Sequence, residues 1–246
     1  TLAFQEQRGV DFYHIEVRSP ENQNKKIETV VGVRRSKEKL EDLTSSATGT
    51  PKATVDSSHC LAVYADAQHH VRLWRKCLSA HYKIRNFVVL QMTANQTIVG
   101  VLASSQNGLT LFLFEAKEGH ELKSFKIELP FKLEQDHIST LVVDEKGRGL
   151  SDGLFISVRS LLWKVGYDAQ SQEVWQLREI KGDALLNKQK VKILKNLFAV
   201  RSGQTNKLEL VSKVIKEGSS NPNYLVWTLD QYDHFKFKEL KEYKIV

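Results

Sequence analysis

Histidine and cysteine are the side chains that hold zinc, and six of them fall in one short stretch: His59, Cys60, His69, His70, Cys77 and His81. The spacing Cys60-x9-His70-x6-Cys77-x3-His81 contains no Cys-x-x-Cys knuckle to clamp an ion. On a strand, neighbouring side chains also leave on opposite faces. The expectation is therefore no metal site, with both cysteines as small buried apolar residues and the histidines on turns and edges. A cysteine nucleophile beside a histidine would need an activating environment, which spacing does not show. Gly147, Gly149 and Gly153 suggest a phosphate loop, but they lead into a strand, whereas an anion cradle needs a helix N-terminus behind it. Asp136 and Asp144 form no carboxylate pair with an argument for a shifted pKa. These readings give a protein with no catalytic set, no metal and no cofactor.

Cations offer a different chemistry. Lys and Arg number 36 against 29 Asp and Glu, for a net charge of +7 and a pI near 9.2. Such a surplus favours polyanions or acidic partners, though it also describes an ordinary solvated surface. The candidate partner- or polyanion-binding residues are Arg34, Arg35 and Lys37, then Lys188, Lys190 and Lys192, then Lys236, Lys238 and Lys241. A further basic group is Arg72, Arg75, Lys76, Lys83 and Arg85. In the last candidate set, lysines alternate with Phe235 and Phe237, so a strand there would carry cations on one face and rings on the other. That ribbon could hold an RNA or DNA backbone, or be an edge strand whose lysines deter edge pairing. Lysine presents a point charge where arginine presents a fork for base edges. No base-reading motif accompanies these lysines.

The elements that must position these residues read as strands. Runs rich in β-branched, leucine and aromatic residues recur at 10–17, 60–65, 70–74, 86–90, 97–103, 109–114, 122–129, 140–143, 153–158 and 161–165, and again at 173–180, 197–201, 207–211, 224–229 and 234–240. Helical periodicity is confined to 36–43 and 183–192. Asn107-Gly108 predicts a type I′ hairpin turn, residues 203–206 do similar work, and Arg159-Ser160 leaves almost no loop. A unit of strand, tight turn, strand, polar loop, strand repeats at 97–129, 153–180 and 197–229. Trp74, Phe114, Trp163 and Leu210 are separated by 40, 49 and 47 positions, the period of four-stranded propeller blades. Trp74, Trp163, Trp175 and Trp227 lie within strands and are assigned to packing.

These residues resemble the WD40 family. His70-Val-Arg-Leu-Trp74 is similar to its Trp-Asp strand, with Arg75 in place of the aspartate. Leu109-Thr-Leu-Phe-Leu-Phe-Glu115 resembles a second copy, and 160–168 a third stretched by insertion. The family's Gly-His dipeptide is absent, so its His–Asp network is not carried over. The resemblance implies an all-β fold: a β-propeller of four-stranded antiparallel blades, spanning 1–246 as one domain. It also implies a scaffold that binds other protein subunits, in a nuclear or nucleolar assembly of the kind that processes ribosomal RNA. The alternative is a sequence-tolerant RNA- or DNA-binding module. Residues 34–58 lack aromatics and periodic apolar positions and are expected to be a flexible loop between blades. Two cysteines are too few for a disulfide framework, which points to a reducing compartment. No apolar run approaches the roughly 18–20 residues of a membrane helix. Thr1 opens the chain and Met92 is its single methionine, so residues are expected ahead of Thr1.

Overall fold

Strand periodicity governs the chain wherever it is described. The computed structural model describes residues 17–18, 26–27, 32–39, 57–64, 71–93, 96–106, 108–133, 136–143, 151, 153–159, 161–167, 175–180, 191–201, 208–218, 223–229 and 235–241. Every regular element among them is a strand. The chain divides into two compact units, Thr1–Leu133 and Glu134–Val246.

In the first unit, β1 (Val17–Arg18) pairs with β2 (Lys26–Ile27). Strands β3 (Gly32–Lys39), β4 (Ser57–Tyr64) and β5 (Arg72–Cys77) form a three-stranded sheet in chain order. Strands β6 (Lys83–Thr93), β7 (Gln96–Ser105), β8 (Gly108–Glu115) and β9 (Glu121–Glu128) form a four-stranded sheet, again in chain order. The second unit holds two more four-stranded sheets of the same kind. One is β10 (Ile138–Val143), β11 (Gly153–Val158), β12 (Leu161–Tyr167) and β13 (Trp175–Glu179); the other is β14 (Val191–Arg201), β15 (Leu208–Lys216), β16 (Asn223–Leu229) and β17 (Phe235–Lys241). All pairings are antiparallel. The fold of the described residues is thus all-β, built from antiparallel meanders. Each three-strand unit read from the sequence gains a fourth strand: β6 and β10 precede theirs, and β17 follows its own.

The packing explains the apolar runs. Leu61 and Val63 of β4 meet Ile84, Phe87, Val99, Val101, Ala103 and Phe114 of the following sheet in one buried cluster. The opposite face of that sheet is buried as well, at Ile98, Leu102, Leu109, Leu111 and Leu113. In the second unit Phe155, Leu162, Leu197, Leu210, Val214 and Leu225 form a corresponding cluster, and every residue of β11 is buried. Polar groups inside are tied locally. Thr97 Oγ1 donates to Gln91 Oε1 at 2.6 Å, and Gln91 Nε2 donates to the Thr93 carbonyl, closing the β6–β7 hairpin.

Two sequence expectations meet a described strand here. The loop assigned to 34–58 is a strand over 34–39, where β3 pairs with β4 from Gly32 opposite Tyr64 to Lys39 opposite Ser57. A backbone ladder to a buried neighbour orders an edge strand without any apolar pattern of its own. Residues 57–58 begin β4, and 40–56 lie outside the described residues. The helix expected at 36–43 begins on that same strand; of 183–192, only Val191 and Lys192 are described, at the start of β14. The strand expected at 10–17 is described only at Val17, in β1.

The Asn-Gly turn is displaced by one residue. Ser105 pairs with Gly108, so Gly108 is the first residue of β8, at φ 143°, and not part of the turn. The turn expected at 203–206 lies outside the described residues. The Arg159-Ser160 turn is as tight as its sequence suggests, with Val158 opposite Leu161. Arg159 takes the left-handed φ of 53°, and its guanidinium grips Asp136 through two contacts of 2.6 and 3.2 Å. Gly108 is the more exacting position, because a Cβ there would collide with the Ile127 backbone oxygen. Gly108→Ala is expected to cost roughly 2–4 kcal/mol, combining left-handed strain with displacement of the β8–β9 ladder. Chemical denaturation measures it, with Gly119→Ala as a second glycine variant and Ser79→Ala as an exposed control.

Candidate functional site

Strand β5 gathers most of the first unit's unusual chemistry. In the antiparallel register of β4 and β5, Cys60 stands opposite Cys77, and the two form a disulfide spanning 17 positions. This corrects the reading of both cysteines as buried apolar residues: Cys60 is 2% exposed, while Cys77 lies at the surface. The hairpin read from 60–65 and 70–74 held the clue. Pairing Tyr64 with Arg72 and shifting the register between Val63 and Tyr64 brings Cys60 level with Cys77. Closing a loop of this length contributes about 3 kcal/mol by restricting the unfolded chain. With the cysteines joined, the argument for a reducing compartment loses its basis.

His59 is buried on β4 and His81 is exposed on the connection between β5 and β6, while His69 and His70 lie outside the described residues. No group of three His, Cys, Asp or Glu side chains comes together among the described residues. Asp136 is engaged by Arg159, and Asp144 lies outside the described residues, as do Gly147 and Gly149. Gly153 opens β11.

The opposite face of β5 is anchored by packing. The Trp74 indole N–H donates to the Ala116 carbonyl at 2.8 Å. Its ring centroid lies 5.7 Å from that of Phe114. Gly119, at φ 75°, passes so close beneath the ring that a Cβ would come within 2.6 Å of it. Beside it, Lys76 Nζ lies 4.6 Å above the Phe114 ring and 3.8 Å from Glu121. The cations of this basic group therefore serve partly as packing. Arg75 Nη2 approaches Cys60 Sγ at 3.8 Å, whereas Arg72 and Lys83 are exposed. Trp163 and Trp175 are buried in β12 and β13, in keeping with a packing role; for Trp227 only its place on β16 is described.

The described candidate cations lie on β3 in the first unit and on β14 and β17 in the second. Arg34, Arg35 and Lys37 sit on β3, opposite Ala62, Leu61 and His59. Lys192 is on β14, and Lys188 and Lys190 lie outside the described residues. Lys236, Lys238 and Lys241 are on β17, at the edge of its sheet. The register slips there, since Trp227 pairs with Phe237 but Val226 with Glu239. Lys238 is thus the extra residue of a bulge. Bulges and lysines are both devices that blunt a sheet edge.

A recess of about 410 Å³ opens at the turn end of the β6–β9 sheet. Thr110 and Lys126, paired across β8 and β9, line it with Glu128, His81 and Tyr82. The Tyr82 and Phe112 rings stand nearly perpendicular with centroids 5.3 Å apart, which ties the recess wall to the core. The composition pattern of the sequence gave no signal for this recess, because its residues come from three separated segments.

Compared with known proteins, the chain matches no family model and no curated sequence.

The Trp74 anchor yields a graded prediction. Trp74→Phe keeps most of the ring contact and loses one hydrogen bond, for a cost of about 1 kcal/mol. Trp74→Ala also empties the half-buried site, for about 2–4 kcal/mol. Gly119→Ala should approach the alanine variant, because it displaces the same ring. Equal stability of all three with the parent would show that β5 does not depend on this contact.

Proposed function

We propose that this chain is a non-catalytic scaffold, a propeller-like stack of four-stranded blades that binds other protein subunits in a multi-subunit assembly. The observation that carries the reading is the sheet β6–β9, whose middle strands are buried on both faces. One face is covered by the preceding sheet, and radial stacking of repeated sheets supplies a cover on each side. The same meander follows twice more in the chain. A frame of this kind is stiff and leaves sheet edges and connections for partners. The basic balance of the chain suits acidic partner surfaces. The resemblance to WD40 repeats supports the same reading and is the sole ground for a nuclear or nucleolar assembly that processes ribosomal RNA.

The alternative is direct nucleic-acid binding, favoured by the placement of Lys236, Lys238 and Lys241 on an edge strand. Crosslinking of the tagged chain in cells, followed by purification with and without ribonuclease, separates the two. Defined protein partners that survive ribonuclease and crosslink to described surface lysines are expected. Recovery of RNA alone, with every protein lost after ribonuclease, would favour the alternative. In vitro, an arbitrary RNA is expected to bind weakly and to lose at least about tenfold in affinity between low and physiological salt.

A further inference from the structure

The disulfide is asymmetric in a way that bears on its chemistry. Cys60 is 2% exposed on the middle strand of its sheet, and Cys77 ends β5 at the surface. An attacking thiolate in solution can therefore reach one sulfur and not the other. The guanidinium of Arg75 lies 3.8 Å from the sheltered sulfur. A cation there stabilises a thiolate, which makes Cys60 the better leaving group. Arg75 is exposed and stands two positions from Cys77 on the same strand, so a cation lies beside the point of attack and suits an anionic thiol. The opposite face of β5 is held independently by Trp74 and Lys76. Opening the disulfide thus releases one anchor of β5 and leaves the other in place.

From these observations we infer that Cys60–Cys77 is a reversible exchange site for a small anionic thiol of the glutathione class, with Cys77 the residue that is modified. A glutathione thiolate attacks Cys77 Sγ. The Cys60–Cys77 bond breaks, its electron pair leaves on Cys60 Sγ beside Arg75, and a mixed disulfide forms on Cys77. A second glutathione thiolate attacks the glutathione sulfur of that mixed disulfide, giving glutathione disulfide and the Cys77 thiolate. Each cysteine then takes one proton from water. The protein gains two electrons and two protons in all, and two glutathione thiols are oxidised to one disulfide. In the reverse direction glutathione disulfide is the oxidant, Cys77 captures it, and Cys60 displaces glutathione to restore the bond.

The test uses the full chain, incubated in glutathione and glutathione disulfide at varied ratios. Samples are quenched with acid and a thiol-alkylating reagent, then mapped by mass spectrometry without reductant, with circular dichroism confirming that the fold persists. The linked Cys60–Cys77 peptide is expected to disappear in one reversible transition, with glutathione found on Cys77 and not on Cys60. Arg75→Gln should slow reduction severalfold, roughly three- to tenfold, and Arg75→Lys should restore it, which a purely structural role for Arg75 would not predict. Cys60→Ser, once folded, should hold glutathione on Cys77 and be unable to release it internally. Glutathione on Cys60, a linkage that opens only in denaturant, two free thiols persisting in excess glutathione disulfide, or unchanged kinetics in Arg75→Gln would each overturn the assignment.

Discussion

A sheet that is apolar on both faces cannot stand alone in water. In β7 every residue from Thr97 to Ser104 is buried, and in β11 all six are. Each large side chain on such a strand is worth about 1.5–3 kcal/mol when removed from water, and that gain requires a layer on each side. The tight β7–β8 and β11–β12 hairpins fit this, since they present their strands in register to both layers. So does the polarity of the outer strands: β9 is exposed over most of its length, and β13 turns exposed at its end. Apolar density falls from the middle of a sheet toward the edge that later strands leave uncovered.

Where polar chemistry enters these sheets, it is spent on fixing geometry. Thr97 and Gln91 satisfy one another at the mouth of a hairpin. Arg159 occupies a left-handed turn and reaches back to Asp136. Trp74 pairs its indole N–H with a carbonyl 42 positions away while its ring packs over Gly119. Strand β5 is the extreme case, fixed on one face by that indole and on the other by a covalent bond. The groups that looked most reactive in the sequence, cysteine and the basic residues around it, are the ones most involved in holding this strand.

The middle strands were legible because they read as short, nearly continuous runs of β-branched and aliphatic residues, as at 97–103 and 153–158. Strand β3 was not, because its order comes from hydrogen bonds to β4 and its residues, Arg34 through Lys39, carry no pattern that reports a backbone ladder. The disulfide was missed through counting: two cysteines are too few for a framework, yet one register places them opposite each other. The turn at Gly108 was found but offset, since composition names the glycine and only pairing tells which residue is the first of the ladder. The recess beside Thr110 depends on segments far apart in sequence, and the cation sets on β3, β14 and β17 could be located but not assembled.

Native-state hydrogen exchange, read residue by residue, tests most directly the claim that both-face burial organises the fold. Amides of β7, β8, β11 and β12 should exchange most slowly, through global unfolding alone, while those of β9 and β13 exchange through smaller openings and at lower free energy. Uniform protection across each sheet, or faster exchange in the middle strands than at the edges, would contradict the account.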